Sequence, residues 1–352
     1  MLTQNEKGVP MSKTTMQDIA DALGISRVTV WKVFKNQSGV SSSLRENVLN
    51  KAKEMGYSKI SLPAASEETD AGDNEKTVSL IISRPDSSTF WTNIIHRMAQ
   101  ELSYHNVNMM YTYMPSAYTD SFIMPAILSS GDIQGAIILN VYDLELIRLI
   151  NELDLPKVFL DTVPQMDPRM LHGDLILLES FDSIYQITRS VIDRGLTHLG
   201  FIGDIQYART NLDRYKGFCQ CMADHHLEID ETVCLTHSIG IFSYYHVLCS
   251  FLDSLDTLPQ AFVCANDYIA HFLHLYFTEH ADRIPRGILV TGYDGSHEYS
   301  NIDELITTAD VKTSLLGKRL SMQVIYRMEN TDAPYELTYI NPEVIYRDSV
   351  IY

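Results

Sequence analysis

The sequence predicts an α/β protein in two unequal parts: a three-helix N-terminal module of helix-turn-helix pattern, and a two-lobed domain with doubly wound parallel sheets. Three observations carry this. The net charge of −18 over 352 residues is unevenly held: residues 11–60 have eight Lys/Arg against four Asp/Glu, making them +4 and the remainder strongly acidic. Up to residue 57 apolar residues recur only at helical spacing. From residue 77 short apolar runs alternate with amphipathic stretches, a pattern that builds parallel sheets with helices on both faces.

Residues 1–13 read as an extension ahead of the first helix. That helix covers 16–23, with Thr15 as N-cap and Asp18 as its capping-box partner. Gly24 suits the left-handed residue that ends it. A second helix follows Ser26, another good N-cap, over 27–34. The third starts near 41–43 and runs to Met55, with Gly56 closing it. Ile19, Ala20, Leu23, Val30, Val33, Val48, Leu49 and Ala52 can form one small core. The module therefore spans 14–60. The polar, acidic stretch 61–76, which contains Pro63, reads as a linker.

The domain over 77–352 begins with a strand at 78–82 and an amphipathic segment at 91–104. A strand at 107–113, a further helical stretch and a strand at 135–139 follow. A helix at 144–153 and a strand at 158–161 end the first series. The second series has a helix from 183 to 194, a strand at 199–202 and a helix at 214–225. A strand at 261–264, a helix at 268–280 and a strand at 287–291 complete it. Two lobes with a cleft between them are the simplest architecture. Ligands bind beyond the carboxyl ends of parallel strands, so the cleft is the expected site.

Composition narrows the function. Hydrophobic residues make up 45% of the chain, ample for sizeable cores. No apolar run approaches the ~20 residues that span a bilayer, and the polar first residues lack a secretion signal. Five cysteines without paired spacing fit a reducing, cytoplasmic compartment. Cys219-Gln-Cys221 is too closely spaced for a Cys-x-x-Cys metal pair, even with His225 and His226 nearby. No metal or cofactor is expected. Gly-x-Ser-x-Gly, Walker A and His-Glu-x-x-His motifs are missing, and Gly200-x-x-Gly203 is only a fragment of a dinucleotide fingerprint, so an enzyme is not expected.

Residues 14–57 resemble the headpiece of the LacI/GalR family of bacterial regulators. The likeness rests on Thr15-Met-Gln-Asp-Ile-Ala20, Gly24-Ile-Ser26, Thr29-Val30, Val33, Asn36, Val40-Ser41, Arg45, Val48 and Gly56-Tyr57. It implies a recognition helix lying in the DNA major groove. Arg27 and Val28 stand at the end that reaches base edges, and Lys32 points to the same groove. Ser26, Thr29, Ser41 and Tyr57 suit phosphates, with Thr15 completing the set. Asn36 fits either role or a chain turn. Two departures stand out. Trp31-Lys32 replaces the family's usual Ser-Arg, leaving Trp31 to pack on the headpiece core or on sugar-phosphate, with packing preferred. After Tyr57 the family's hinge-helix Arg is missing, and Pro63 disturbs any helix running through it, leaving Leu62 as the main candidate wedge and Ile60 as a weaker one.

The rest of the chain resembles the family's effector domain, which is similar to periplasmic sugar-binding proteins. The landmarks are Gly135-Ala-Ile-Ile, Pro156-Lys-Val-Phe-Leu-Asp161, Gly195 to Gly203, Arg214-Tyr-Lys-Gly-Phe218, Asn266-Asp267, Gly292-Tyr-Asp294 and Arg347-Asp-Ser349. The resemblance implies effector contacts from Asp161, Arg214, Asn266, Asp294, and Phe90 or Trp91, with Phe242 as a further wall. The alternative roles are helix caps for Asp161 and Asn266, an interlobe ion pair for Arg214, and plain packing for the two aromatics. The function implied is a homodimeric repressor of carbohydrate genes that binds operator DNA under control of a sugar-like effector. The alternative is a solute-binding module without a regulatory role.

Overall fold

The computed structural model describes residues 14–34, 40–55, 57, 76–83, 88–240 and 243–350. Expectations for the 1–13 extension, Asn36, Gly56, Ile60, Leu62, Pro63, Phe242 and the linker before Lys76 lie outside these residues. The chain divides into two compact units, the first ending at Asp73 and the second starting at Asn74.

The first unit is a trio of helices: α1 (Met16–Leu23), α2 (Arg27–Phe34) and α3 (Ser42–Glu54). Thr15 and Asp18 form the capping box, and Gly24 ends α1 at φ +65°, where a side chain would be strained. Ile19, Ala20, Val30, Val33, Val48 and Ala52 are fully buried, with Leu23 and Leu49 half-buried around them. Thr14 donates to the Met55 carbonyl at 2.7 Å, tying the start of α1 to the end of α3. Arg45 donates to the Val33 carbonyl at 3.2 Å, satisfying one orphan acceptor at the end of α2.

The second unit begins with β1 (Lys76–Ile82), α4 (Thr89–Tyr104) and β2 (Val107–Tyr113). Then come β3 (Gly135–Leu139), α5 (Leu144–Asn151), β4 (Lys157–Leu160), β5 (Asp174–Leu178) and α6 (Phe181–Ile192). Next are β6 (Leu199–Ile202), α7 (Arg209–Asp224), α8 (Tyr244–Asp253), β7 (Ala261–Cys264) and α9 (Asp267–Glu279). The last elements are β8 (Leu289–Thr291), β9 (Thr308–Asp310), α10 (Thr313–Glu329), β10 (Leu337–Ile340) and β11 (Glu343–Ile345).

Two parallel sheets result, in the orders β10-β5-β4-β3-β1-β2 and β6-β7-β8. In the first lobe α4 and α10 cover one face of the six-stranded sheet and α5 the other, so β3 is buried at every position. Gly317 lets α10 approach α4, since a Cβ there would lie 2.5 Å from the Ile94 carbonyl oxygen. Arg327 of α10 and Asp174 of β5 form an ion pair at 2.6 Å, each side chain 1% exposed. The guanidinium also donates to the carbonyls of Ala333 and Pro334, which fixes the segment leading into β10. The second lobe holds α6 to α9 around the three-stranded sheet. The chain crosses between lobes after β5, after β9 and after β10.

The expected doubly wound α/β class is present, with local differences. The helical stretch expected between residues 113 and 135 is only a short 3-10 turn, Ala126–Ser129, because Pro115 and Pro125 interrupt any longer ladder. Helix α7 starts five residues before Arg214, at a polar Arg-Thr-Asn sequence that carries no apolar period. Strand β8 starts at Leu289 because Gly287 lies at φ +89°. Among the described residues no helix is long and apolar enough to cross a membrane.

Candidate functional site

Two regions answer the expectations, one in each unit. In the first, α2 presents an exposed ridge. Ser26 accepts from the Thr29 N–H at 3.1 Å, and the two hydroxyls bond at 2.9 Å, so the helix begins at a fixed point. Arg27 is exposed, Val28 is 61% exposed and Trp31 is 41% exposed, while Lys32 is half-buried beside them. Trp31 therefore stands outside the small core, a correction to the preferred packing role: Val30 and Val33 already fill the inward face.

Three further expected contacts have defined surroundings. The Thr15 hydroxyl donates to Asp18 at 2.8 Å, and bonds from Thr15 hold that exposed carboxylate below its usual range, so an anion stands beside it. Ser41 accepts from the Leu44 N–H at 3.4 Å, and its hydroxyl lies 3.4 Å from that of Ser43. Tyr57 is only 9% exposed, its ring packed against the small core and stacked 5.4 Å from Phe34.

In the second unit, the strands of both lobes end towards one junction. Asp161 follows β4 at φ +63° and is 7% exposed. Its carboxylate accepts from the Thr162 N–H at 2.7 Å and, from the other lobe, from the Thr210 hydroxyl at 2.5 Å. Burial pushes its pKa up to about 6 against these bonds and the nearby Arg214 charge. Arg214, buried on the second turn of α7, donates to the Ala265 carbonyl at 2.6 Å and lies 3.6 Å over the Tyr293 ring. It stands among Asp161, Asp267 and Asp294 without an ion pair to any of them. Asn266 caps α9, accepting from the Ile269 N–H at 2.9 Å.

Asp267, not anticipated as a site residue, is 2% exposed. It accepts from the Thr308 hydroxyl at 2.8 Å and the Ser296 N–H at 2.7 Å, and burial pushes its pKa up to about 7. Asp294 is half-buried at φ +120°, and among the described residues its carboxylate has no hydrogen-bond partner. Burial pushes its pKa upward, and Asp267 adds to the shift while Arg214 opposes it.

A cavity of about 520 Å³ opens at the lobe junction, where the first turns of α4 and α10 meet the loop after β8. Phe90, Asn93, Asp294, Glu298, Asp310 and Lys312 contribute to its wall. Across its rim the Glu298 carboxylate of the second lobe accepts from both the N–H and the hydroxyl of Thr89, at 2.8 and 2.9 Å. Lys312 is tied to Asp310 at 2.6 Å. Trp91 packs edge-on to Phe90 at 5.2 Å and takes no part in the wall. Of the six expected contacts, then, Phe90 and Asp294 line the cavity, and Asp161, Arg214, Asn266 and Trp91 do not.

A further interlobe contact has no counterpart among the sequence-based expectations. Tyr142 and Tyr207 pack 4.4 Å apart, and the Tyr207 hydroxyl donates to Asn140 at 3.1 Å. Neither tyrosine sits in a spaced motif, so no local signal marks them. Near Cys221, His225 bonds the Cys221 carbonyl at 2.8 Å, and among the described residues no metal-holding group of His, Cys, Asp and Glu occurs.

Comparison with known proteins places both units. Residues 15–59 match the family of bacterial regulatory proteins called the lacI family, and residues 188–350 match a periplasmic binding protein-like domain. The chain is 24% identical to the HTH-type transcriptional repressor PurR of Mannheimia succiniciproducens, over 96% of this chain and 98% of that protein. It is 26% identical to the HTH-type transcriptional regulator RegA of Clostridium saccharobutylicum, over 96% and 99%. Among solved structures, a complex of the transcriptional regulator CelR with cellobiose has the same fold, with a TM-score of 0.65 at 19% identity, over 96% and 100% of the two chains. The Lac repressor dimer bound to operator and the anti-inducer ONPF gives a TM-score of 0.64 at 17% identity, over 96% and 99%.

Proposed function

We propose that this chain, which belongs to the lacI family of bacterial regulatory proteins, is a cytoplasmic homodimeric repressor of carbohydrate genes whose grip on operator DNA is set by a sugar-like effector in the interlobe cavity. The observation that carries the reading is one chain holding both parts: a basic module with Arg27 and Val28 exposed on α2, and a two-lobed unit with a 520 Å³ cavity. Arg27 suits a guanine edge and Val28 a thymine methyl. The capping hydroxyl of Ser41 suits a phosphate that fixes register.

In the cavity, Phe90 offers an apolar face to a pyranose, and the unpartnered Asp294 carboxyl, which burial favours in its protonated form, offers a donor and an acceptor to its hydroxyls. Asp161, Arg214 and Asn266 support the wall from behind, holding the strand ends and α9 in place. A planar heteroaromatic effector is a second reading, favoured by the Phe90 ring on the cavity wall, which offers such a ligand a stacking face.

Isothermal titration against neutral sugars, sugar phosphates and nucleobases, with operator binding measured alongside, tests the proposal. A neutral sugar should bind, alter operator affinity, and bind several-fold more weakly when Asp294→Ala removes its carboxyl, as expected for hydrogen bonds of about 0.5–1.5 kcal/mol to a group that burial holds protonated. Binding of nucleobases alone would replace the carbohydrate reading with the second one.

A further inference from the structure

We propose that Trp31 is a DNA-contacting residue that, with Val28, forms an apolar ridge seated against thymine methyls and deoxyribose beside the base read by Arg27. The inference rests on the regulator reading above and extends it to a residue whose chemistry is neither ionic nor polar. Trp31 is 41% exposed in the middle of an eight-residue helix whose inward face is complete without it. Val28, three residues earlier and 61% exposed, lies on the same face, and Arg27 lies one turn back from Trp31. Four residues advance about 6 Å along a helix axis, so the indole reaches a base within roughly two base pairs of the one that Arg27 meets.

The occupant is set by the flanking charge. Arg27 and Lys32 bracket the two apolar side chains within a stretch, residues 11–60, of charge +4, so the surface this ridge meets is anionic with apolar spots in it. A duplex groove, with phosphate walls and thymine C5-methyl groups, has that chemistry. The remaining exposed indole area leaves water on binding, and the indole N–H stays free to donate to a phosphate oxygen. Burial of apolar surface releases no counterions. The contribution of Trp31 should therefore persist as salt rises, unlike that of the cationic residues.

The test uses the full-length chain and a duplex obtained by binding-site selection with the wild-type protein. Trp31→Ala should weaken binding roughly 10- to 50-fold, from the apolar area lost, with the slope of log affinity against log salt unchanged. Trp31→Phe, which keeps a ring, should recover most of the loss and shows that the module still folds. Indole emission should change on adding the duplex in the wild type, and the change should vanish in Trp31→Phe. Replacing thymine by deoxyuridine near the base read by Arg27 should weaken the wild type more than Trp31→Ala. Binding of Trp31→Ala within twofold of wild type, a loss that fades at high salt, or no loss with deoxyuridine would each overturn the assignment. If the wild-type chain selects no duplex at all, the regulator reading itself fails.

Discussion

Asp161 shows what the lobe junction does to a single side chain. Its carboxyl is pushed by burial from 3.8 to about 6, while the Thr210 and Thr162 bonds oppose the shift. Between those two values the folded protein keeps a proton that the unfolded chain has released. Stability therefore falls as pH rises from about 4 to 6 and stays lowered above that, the reverse of an ion-paired carboxylate. Asp161→Asn should flatten this part of the pH profile by on the order of 1–3 kcal/mol. Urea unfolding of wild type and variant at pH 4, 5, 6 and 7 measures it, and parallel profiles would mean the carboxyl titrates normally. Asp161 and Asp294 were legible through the family resemblance, each at the end of an apolar strand. Sequence reading missed Asp267, whose burial depends on Thr308 and Ser296 arriving from later in the chain. Nor does sequence separate Asn266 the helix cap from Asn266 the ligand, since both roles need the same amide at the same place.

Legibility at the level of elements followed apolar content and caps. The bounds of α2, β2, β6 and β7 could be read because Ser26, or a flanking loop, frames a clean apolar run. The first turns of α7 could not, because Arg209, Thr210 and Asn211 serve the junction rather than a core. Helix α10 contributes a buried cation, which no hydrophobic pattern announces. Arg327 and Asp174 are each 1% exposed and lie 153 residues apart. Removing one partner leaves the other charge buried and alone, a change that costs about 3–5 kcal/mol. Arg327→Met should therefore lower the denaturant midpoint strongly, and the double variant with Asp174→Asn should regain much of the loss. If the double variant is no more stable than Arg327→Met, the pair's charge is not what the single substitution exposes.

For the whole molecule, the question is how a ligand between the lobes is felt by the DNA-binding module. The contacts across the junction include Glu298 with Thr89, Tyr207 with Asn140 and Thr210 with Asp161. A ligand can shift the arrangement of the lobes only by its different affinity for the alternatives, and each of these contacts must break if the lobes separate. Pro63, the missing hinge Arg and the acidic Glu67, Glu68 and Asp70 disfavour a docked hinge helix, so operator bending should be small with or without effector. FRET across a selected operator checks this. A sharp kink abolished by Leu62→Ala would show that a wedge operates after all. The triple crossing between lobes also has a consequence in time. The chain is made from its N-terminus, yet the six-stranded sheet of the first lobe is completed only by β10, after all of the second lobe except β11 and the residues following it has been translated. Until Arg327 leaves the ribosome, Asp174 has no counter-charge and β5 is a bare edge open to wrong pairing. The first lobe must wait half-built while the second folds, and slow translation between residues 180 and 340 lengthens that exposure.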